Sequence, residues 1–348
     1  MFVSRLLPNL LRQRDFRLFF IGQTTSTLGS SFTVVALAFA VLQTTGSVAD
    51  VGLALAATRL PLTLFVLFGG VIGDRLPRRT VMLVSDAGRF GTQAIAAALL
   101  ISGHARLWEL LVLFGCNGAA QAFFNPAGVG IVRELVPATS LQRANALLDF
   151  ARSGSALLGQ LLGGALVTLT GPGTAFAIDS MTFVVSAVAL AMLRLPGSVV
   201  ARPVGRLFAD LVEGWSEFRS RTWLWAGTLH IALLNAFALT AFFALGPFVA
   251  KQSLGGGAAW GVIGAAFALG MILGSAIALR WQPSRPLLAA FAAVLLAAPQ
   301  LLLLAVPAAL PAIALASFVG AGEPLGCPLD DDDAVGGPCK RDRSRRRL

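Results

Sequence analysis

Ten stretches of this chain are apolar over lengths that match a lipid bilayer, and that pattern limits its fold more than any other. They lie at roughly 17–42, 48–73, 80–102, 107–128, 145–170, 173–195, 223–250, 258–280, 286–306 and 309–322. A hydrocarbon core about 30 Å thick takes about 20 helical residues to cross. Only the last stretch is short for a full crossing. Inside lipid no water satisfies the backbone, so each run must bond within itself as a helix. Composition excludes an ordinary soluble domain. Charged residues make up 13% of the chain and hydrophobic ones 56%, where soluble domains carry about 25% charged residues. The expected fold class is an all-α membrane protein with about ten transmembrane helices.

The connectors mark the boundaries. Thr44-Thr45-Gly46-Ser47, Gly171-Pro172-Gly173 and Gly255-Gly256-Gly257 are turn-forming sequences on one side. Pro77 and Pro137 end apolar runs on the other. Cations fall on alternate connectors. Arg5, Arg12, Arg14, Arg17, Arg75, Arg78, Arg79, Arg133, Arg143, Arg194, Arg202, Arg206, Arg219, Arg221, Arg280 and Arg285 share one side; Arg106 and Lys251 hold the other. A ratio of 16 to 2 makes the first side cytoplasmic, the N-terminus included. The chain start lacks a small-residue cleavage site, so no cleaved signal peptide is expected.

Four segments follow: a six-helix bundle at 1–195, a cytoplasmic linker at 196–222, a partial second bundle at 223–322 and a tail at 323–348. In the linker, Leu207, Leu211, Trp215 and Phe218 recur every three or four residues, the period of an amphipathic helix. Arg206, Arg219 and Arg221 would then meet anionic headgroups. A plain tether is the alternative. Gly46 and Gly52 before the second run are echoed, weakly, by Gly257 and Gly261 before the eighth.

Between the second and third runs the chain reads Gly70-Val71-Ile72-Gly73-Asp74-Arg75-Leu76-Pro77-Arg78-Arg79. This resembles the loop signature of the major facilitator superfamily, G-x-L-A-D-R-x-G-R-K, and stands where that family has it. Gly70, Asp74, Arg75 and Arg78 match outright, Ile72 and Arg79 are mild changes, and Pro77 replaces a glycine while still making a turn. A solvated charge run would explain the arginines but not Gly70 and Asp74. Further stretches resemble the bacterial drug and siderophore exporters, the branch that includes the enterobactin exporter. They are Phe123-Phe124-Asn125-Pro126-Ala127, Ala144-Asn145-Ala146-Leu147 and Ala177-Ile178-Asp179-Ser180-Met181-Thr182-Phe183. Gly159-Gln160-Leu161-Leu162-Gly163-Gly164 resembles the antiporter pattern G-P-x-x-G-G, with Gln160 in place of proline. Generic small-residue packing also explains it.

The resemblance implies a secondary transporter in a bacterial-type plasma membrane. It would export small amphipathic compounds by alternating access, driven by an ion gradient with the proton as coupling ion. One departure stands out. Where many proton antiporters place an arginine in the fourth helix, four residues before a glycine, this chain has Phe114 before Gly118.

Intramembrane polar groups are the site candidates, because they are costly in lipid. Arg59 lies near mid-membrane and is a substrate or coupling candidate or a buried structural partner. Asp86 and Arg89, and again Asp149 and Arg152, stand three apart on one helix face. Both pairs are read as gating pairs near the cytoplasmic end, beside the gating motif Gly70, Asp74, Arg75, Arg78 and Arg79. Asp179 is read as structural. Gln23, Asn117, Gln121, Gln160 and Asn235 could line a cavity between the halves, or bond neighbouring helices. His230 could titrate near neutral pH.

The chain carries no nucleotide-binding loop, metal-ligand cluster or nucleophile–base pair, so no cofactor and no enzyme activity are expected. Net charge +10 is topological rather than nucleic-acid-binding, since no basic stripe is interleaved with aromatics. Cys116, Cys327 and Cys339 have no metal or disulfide spacing.

After Gly322 the character changes. Asp330-Asp331-Asp332-Asp333 cannot sit in lipid, and Arg341–Arg347 is strongly basic. An acidic metal-binding run or a headgroup-binding tail is one reading; a frameshift is preferred. Codons for Cys327–Val335 can be chosen so that reading one base later gives Val-Leu-Trp-Thr-Thr-Thr-Met-Gln, a segment like the exporters' tenth helix. The second half would then be truncated. The latch that family members make between the loop aspartate, here Asp74, and an eleventh helix would be lost. A non-transporting membrane remnant is therefore the alternative function. The DNA across the codons for Gly320 to Leu348 decides it.

Overall fold

The structure, a computed structural model, describes residues 7–194, 240–278 and 309–321, with isolated positions between 215 and 229 and at 299, 302 and 303. Its described elements are all helical. A short α1 (Leu7–Arg12) leads into six long helices: α2 (Arg14–Thr44), α3 (Val48–Arg75), α4 (Arg78–Ile101), α5 (Leu107–Leu135), α6 (Leu141–Thr170) and α7 (Pro172–Ala191). Then come α8 (Thr240–Val249), which runs into a π-helical stretch at Ala250–Leu254, α9 (Gly257–Ala278) and α10 (Leu310–Ala321). The expected spans at 286–306 and in most of 223–250, most of the 196–222 linker, His230, Asn235 and the tail lie outside the described residues.

The turns follow the anticipated chemistry. Gly46 (φ +73°) precedes Ser47, whose hydroxyl caps α3 by accepting from the Asp50 amide at 3.3 Å. Gly171 (φ +89°) turns α6 into α7, a backbone region glycine enters without penalty. Pro172 then occupies the first helical position, where its missing N–H costs nothing.

Among the described residues six helices are long and apolar enough to span a membrane, within α2, α3, α5, α6, α7 and α9. The third expected span, α4, is not one of them. Its composition explains why: Asp86, Arg89 and Gln93 sit mid-helix. The helix is nonetheless ordered for a bilayer, with its polar face turned inward. Ser85, Asp86, Arg89 and Gln93 are buried, while Val84, Ile95 and Ile101 face outward at 68%, 52% and 63% exposure.

Packing pairs α2 with α6 and α7, α3 with α5, α4 with α5 and α7, and α6 with α9. Two apolar clusters fill the bundle. At the end carrying the N-terminal arginines, Phe16, Phe19, Met82, Phe124 and Leu193 pack together. At the opposite end Leu42, Phe114, Phe176, Phe242 and Trp260 do so. There α6 and α9 meet closely. A Cβ on Gly164 would lie 2.5 Å from the Gly257 carbonyl oxygen and 2.7 Å from Gly261 Cα, so only glycine permits the approach. Two hydrogen bonds cross at the same level. The Ala258 amide donates to Thr168 Oγ1 at 2.7 Å, and Lys251 Nζ donates to the Leu42 carbonyl at 3.1 Å.

Candidate functional site

Between these two ends the bundle holds a cavity of about 620 Å³, walled by α2, α4, α5 and α6. From α2 it receives Gln23, Thr27 and Ser30, spaced three and four apart and therefore on one face. From α5 come Gln121 and Asn125, and from α6 Asn145, Asp149 and Arg152. The Asp149–Arg152 pair bonds at 3.1 Å with both side chains about two-thirds exposed, which marks the solvent side. Cavities of this size suit drug-sized ligands.

The inner wall is Arg89, at the centre of α4. Its guanidinium donates to Ser30 Oγ at 3.1 Å and lies over the Phe183 ring at 4.0 Å and the Phe124 ring at 5.3 Å. Aromatic faces attract a desolvated cation. The guanidinium is also 3.7 Å from Asp86 Oδ1. Behind it Asp179 is fully buried and accepts from Thr33 at 2.8 Å, Gln93 at 2.9 Å, and Ser30 and Thr182 at 3.4 Å. One carboxylate thus ties α2, α4 and α7. Gly29 makes room for it, since a Cβ there would stand 2.7 Å from Asp179 Oδ1. Asp86 is the contrast. It is equally buried, yet neither oxygen completes a hydrogen bond, although Ser186 faces it from α7.

The loop sequence Gly70–Arg79 ends α3 and opens α4. Asp74 and Arg75 are in the last turn of α3. Arg78 donates to the Gly130 carbonyl at 2.7 Å and to Glu134 at 2.9 Å, and Arg79 donates to the Ala191 carbonyl. Each arginine therefore grips the C-terminal turns of another helix, α5 or α7, where orphan carbonyls favour a cation. Gly70 meets nothing within 4 Å of where a Cβ would stand.

The structure brings Gln23, Gln121, Asp149, Arg152 and Arg89 to one cavity. It does not bring the other candidates there. Arg59 is exposed on α3 and has no ion-pair partner among the described residues. Asn117 donates to Thr92 at 3.4 Å, a helix-to-helix bond. Gln160 is buried in the α6–α9 contact against Gly264. Asp86 and Arg89 are not near the helix end, as the pattern alone suggested, but mid-helix and buried. Sequence reasoning missed Ser30, Thr33, Gln93 and Asn145. The spacing of Asp86, Arg89 and Gln93 by three and four was the available signal for the inward polar face.

A sequence profile of the Major Facilitator Superfamily matches residues 19–329. The chain belongs to that superfamily. Membership accords with the reading of a membrane transport protein rather than an enzyme. The chain is 29% identical over 187 residues to an uncharacterized MFS-type transporter, YfiS of Bacillus subtilis, covering 53% of this chain and 44% of that protein. It is 29% identical over 205 residues to the multidrug efflux pump Tap of Mycolicibacterium fortuitum, covering 55% and 48%. With macrolide efflux protein A of Streptococcus pyogenes it shares 23% over 256 residues, covering 73% and 63%. The chain spans about half the length of the first two relatives. The fold also resembles two solved facilitators. A bacterial homolog of the human lysosomal transporter Spinster matches with TM-score 0.64 at 17% identity, over 88% of this chain and 73% of that one. The D-xylose–proton symporter matches with TM-score 0.60 at 12% identity, over 92% and 81%.

Proposed function

We propose that this facilitator is a secondary transporter exporting small amphipathic compounds of the drug or siderophore class, by alternating access driven by a proton gradient. The observation that carries the reading is the polar-walled cavity of about 620 Å³ inside an otherwise apolar bundle. Gln23, Gln121, Asn125 and Asn145 supply neutral hydrogen-bonding groups, and Phe19, Phe124 and Val132 supply apolar wall. That mixture suits an amphipathic ligand better than a sugar or an ion. Efflux pumps for drugs and macrolides among the relatives support the direction and the substrate class.

In this reading the bundle at 1–195 and the helices at 223–322 rock about the α6–α9 contact, with the N-terminus in the cytoplasm of a bacterial cell. Arg78 and Arg79 hold the helix ends at the gating side. The test is accumulation of fluorescent drugs in cells lacking their own pumps. Cells making the chain should retain less dye, and Gln121→Leu should restore retention while Arg59→Ala should not. Equal retention with and without membrane-inserted chain overturns the proposal.

A further inference from the structure

We propose that Asp86 is the proton-binding carboxyl of this chain, and that Arg89 conveys its charge state to the cavity wall. The inference rests on the transport reading above and adds the residue that would carry the coupling proton.

The other charged side chains of the helices around Asp86 lie at helix ends: Arg14, Asp15 and Arg17 on α2, Glu109, Arg133 and Glu134 on α5, Arg78 and Arg79 on α4 itself. On α7 Asp179 is the one charged residue. At the level of Asp86 these four helices therefore hold two carboxyl groups and one guanidinium, with Asp86 and Asp179 fully buried and Arg89 nearly so, while the Asp149–Arg152 pair that α6 adds to the cavity is exposed and neutral overall. One cation cannot neutralise two anions. A buried excess negative charge is strongly disfavoured away from water.

Hydrogen-bond donors decide which carboxyl takes the proton. An ionised carboxylate is held by donors. Asp179 has four, from Ser30, Thr33, Gln93 and Thr182. Asp86 is faced only by the Ser186 hydroxyl and by Arg89 at 3.7 Å, and neither oxygen completes a hydrogen bond. The negative charge belongs on Asp179 and the proton on Asp86.

Arg89 links Asp86 to the cavity. Arg89 lines the cavity, donates to Ser30 and lies 3.7 Å from Asp86, with its Nε unpartnered. When Arg89 swings aside and water from the cavity reaches Asp86 to take its proton, forming hydronium and a carboxylate, the guanidinium is drawn back onto the new charge. It then leaves Ser30 and the Phe183 face, and the wall that touches a ligand changes. Reprotonation from hydronium returns the carboxylic acid and water, and frees Arg89 again. A device that alters the ligand wall by gain and loss of one proton is what coupling requires.

The experiment uses the full chain in lipid nanodiscs and infrared difference spectra across a pH titration. One carboxylic-acid carbonyl band is expected, lost in Asp86→Asn and kept at its frequency in Asp179→Glu, which preserves the second buried charge. In Asp86→Glu the band should move in frequency, which reads the assignment even where Asp86→Asn does not fold. A wild-type chain with no such band, or a band unmoved in the Asp86 variants, overturns the proposal. Dye efflux separates the inference from the reading beneath it. A wild-type chain without efflux overturns the transport reading, and the band then stands or falls alone. Gradient-driven efflux that keeps its pH dependence in Asp86→Asn overturns the proton assignment while transport stands.

Discussion

Two helix contacts in this molecule are built on opposite principles. Where α4 meets α7 and α2, the contact is directional. Asp179 accepts from side chains on all three helices, and Arg89 is pinned between Ser30 and Phe183. Where α6 meets α9, it is made by missing side chains: Gly164 against Gly257 and Gly261. Lipid offers no hydrophobic drive between helices, so both devices answer the same problem, one with hydrogen bonds and the other with close van der Waals fit. They differ in what happens on separation. Parting α4 from α7 would strand a buried carboxylate, whereas parting α6 from α9 exposes glycine backbone and, among the described residues, releases the Ala258–Thr168 bond. Hydrogen bonds thus hold α2, α4 and α7 to one another, while the glycine seam between α6 and α9 is held by fit alone at Gly164.

Four substitutions grade that contrast by unfolding in mixed detergent micelles. Asp179→Ala should cost the most, about 3–5 kcal/mol, because it leaves the Thr33 and Gln93 donors without their acceptor and opens a void at the meeting of three helices. Gly164→Val should cost about 1–3 kcal/mol by overpacking. It should also abolish disulfide trapping between cysteines placed at Thr168 and Ala258. A Gly164→Val penalty larger than that of Asp179→Ala would invert the comparison. Thr33→Val removes one donor of the four and should cost about 0.6 kcal/mol, and no more than about 1.7, the range for interhelical bonds in membranes. Asp149→Asn should cost least, about 0.5 kcal/mol or below, since its partner Arg152 is as exposed as itself.

The helices were legible because length and apolarity alone decide them in lipid. The structure places α5 at Leu107–Leu135 where the apolar run ends near 128, because Arg133 and Glu134 extend a helix whose last turns lie outside the apolar layer. The loop sequence Gly70–Arg79 resembled a family signature by its residues, but its contacts were not legible. Nothing in the sequence tells that Arg78 and Arg79 reach Gly130 and Ala191, across different helices. The cavity was half legible. Gln23 and Gln121 stood out as amides in apolar runs. Ser30 and Thr33 did not, because hydroxyl side chains can bond their own helix and so occur throughout membrane segments. Arg59, prominent in sequence as a lone cation, lies on an exposed face of α3 and not in the cavity. Which face a residue occupies is set by helix rotation, and apolar helices give little periodicity from which to read it.

The inward polar face of α4 also bears on how the chain is made. As a lone segment facing lipid, α4 would carry Asp86 and Arg89 at a cost of about 2.5–3.5 kcal/mol each. Its chief acceptor, Asp179, is synthesised about ninety residues later. During synthesis α4 must shelter against α2, whose Ser30 is already present, and wait. Insertion of this helix is thus completed by its successors, and mutations in α7 should appear first as defects in biogenesis.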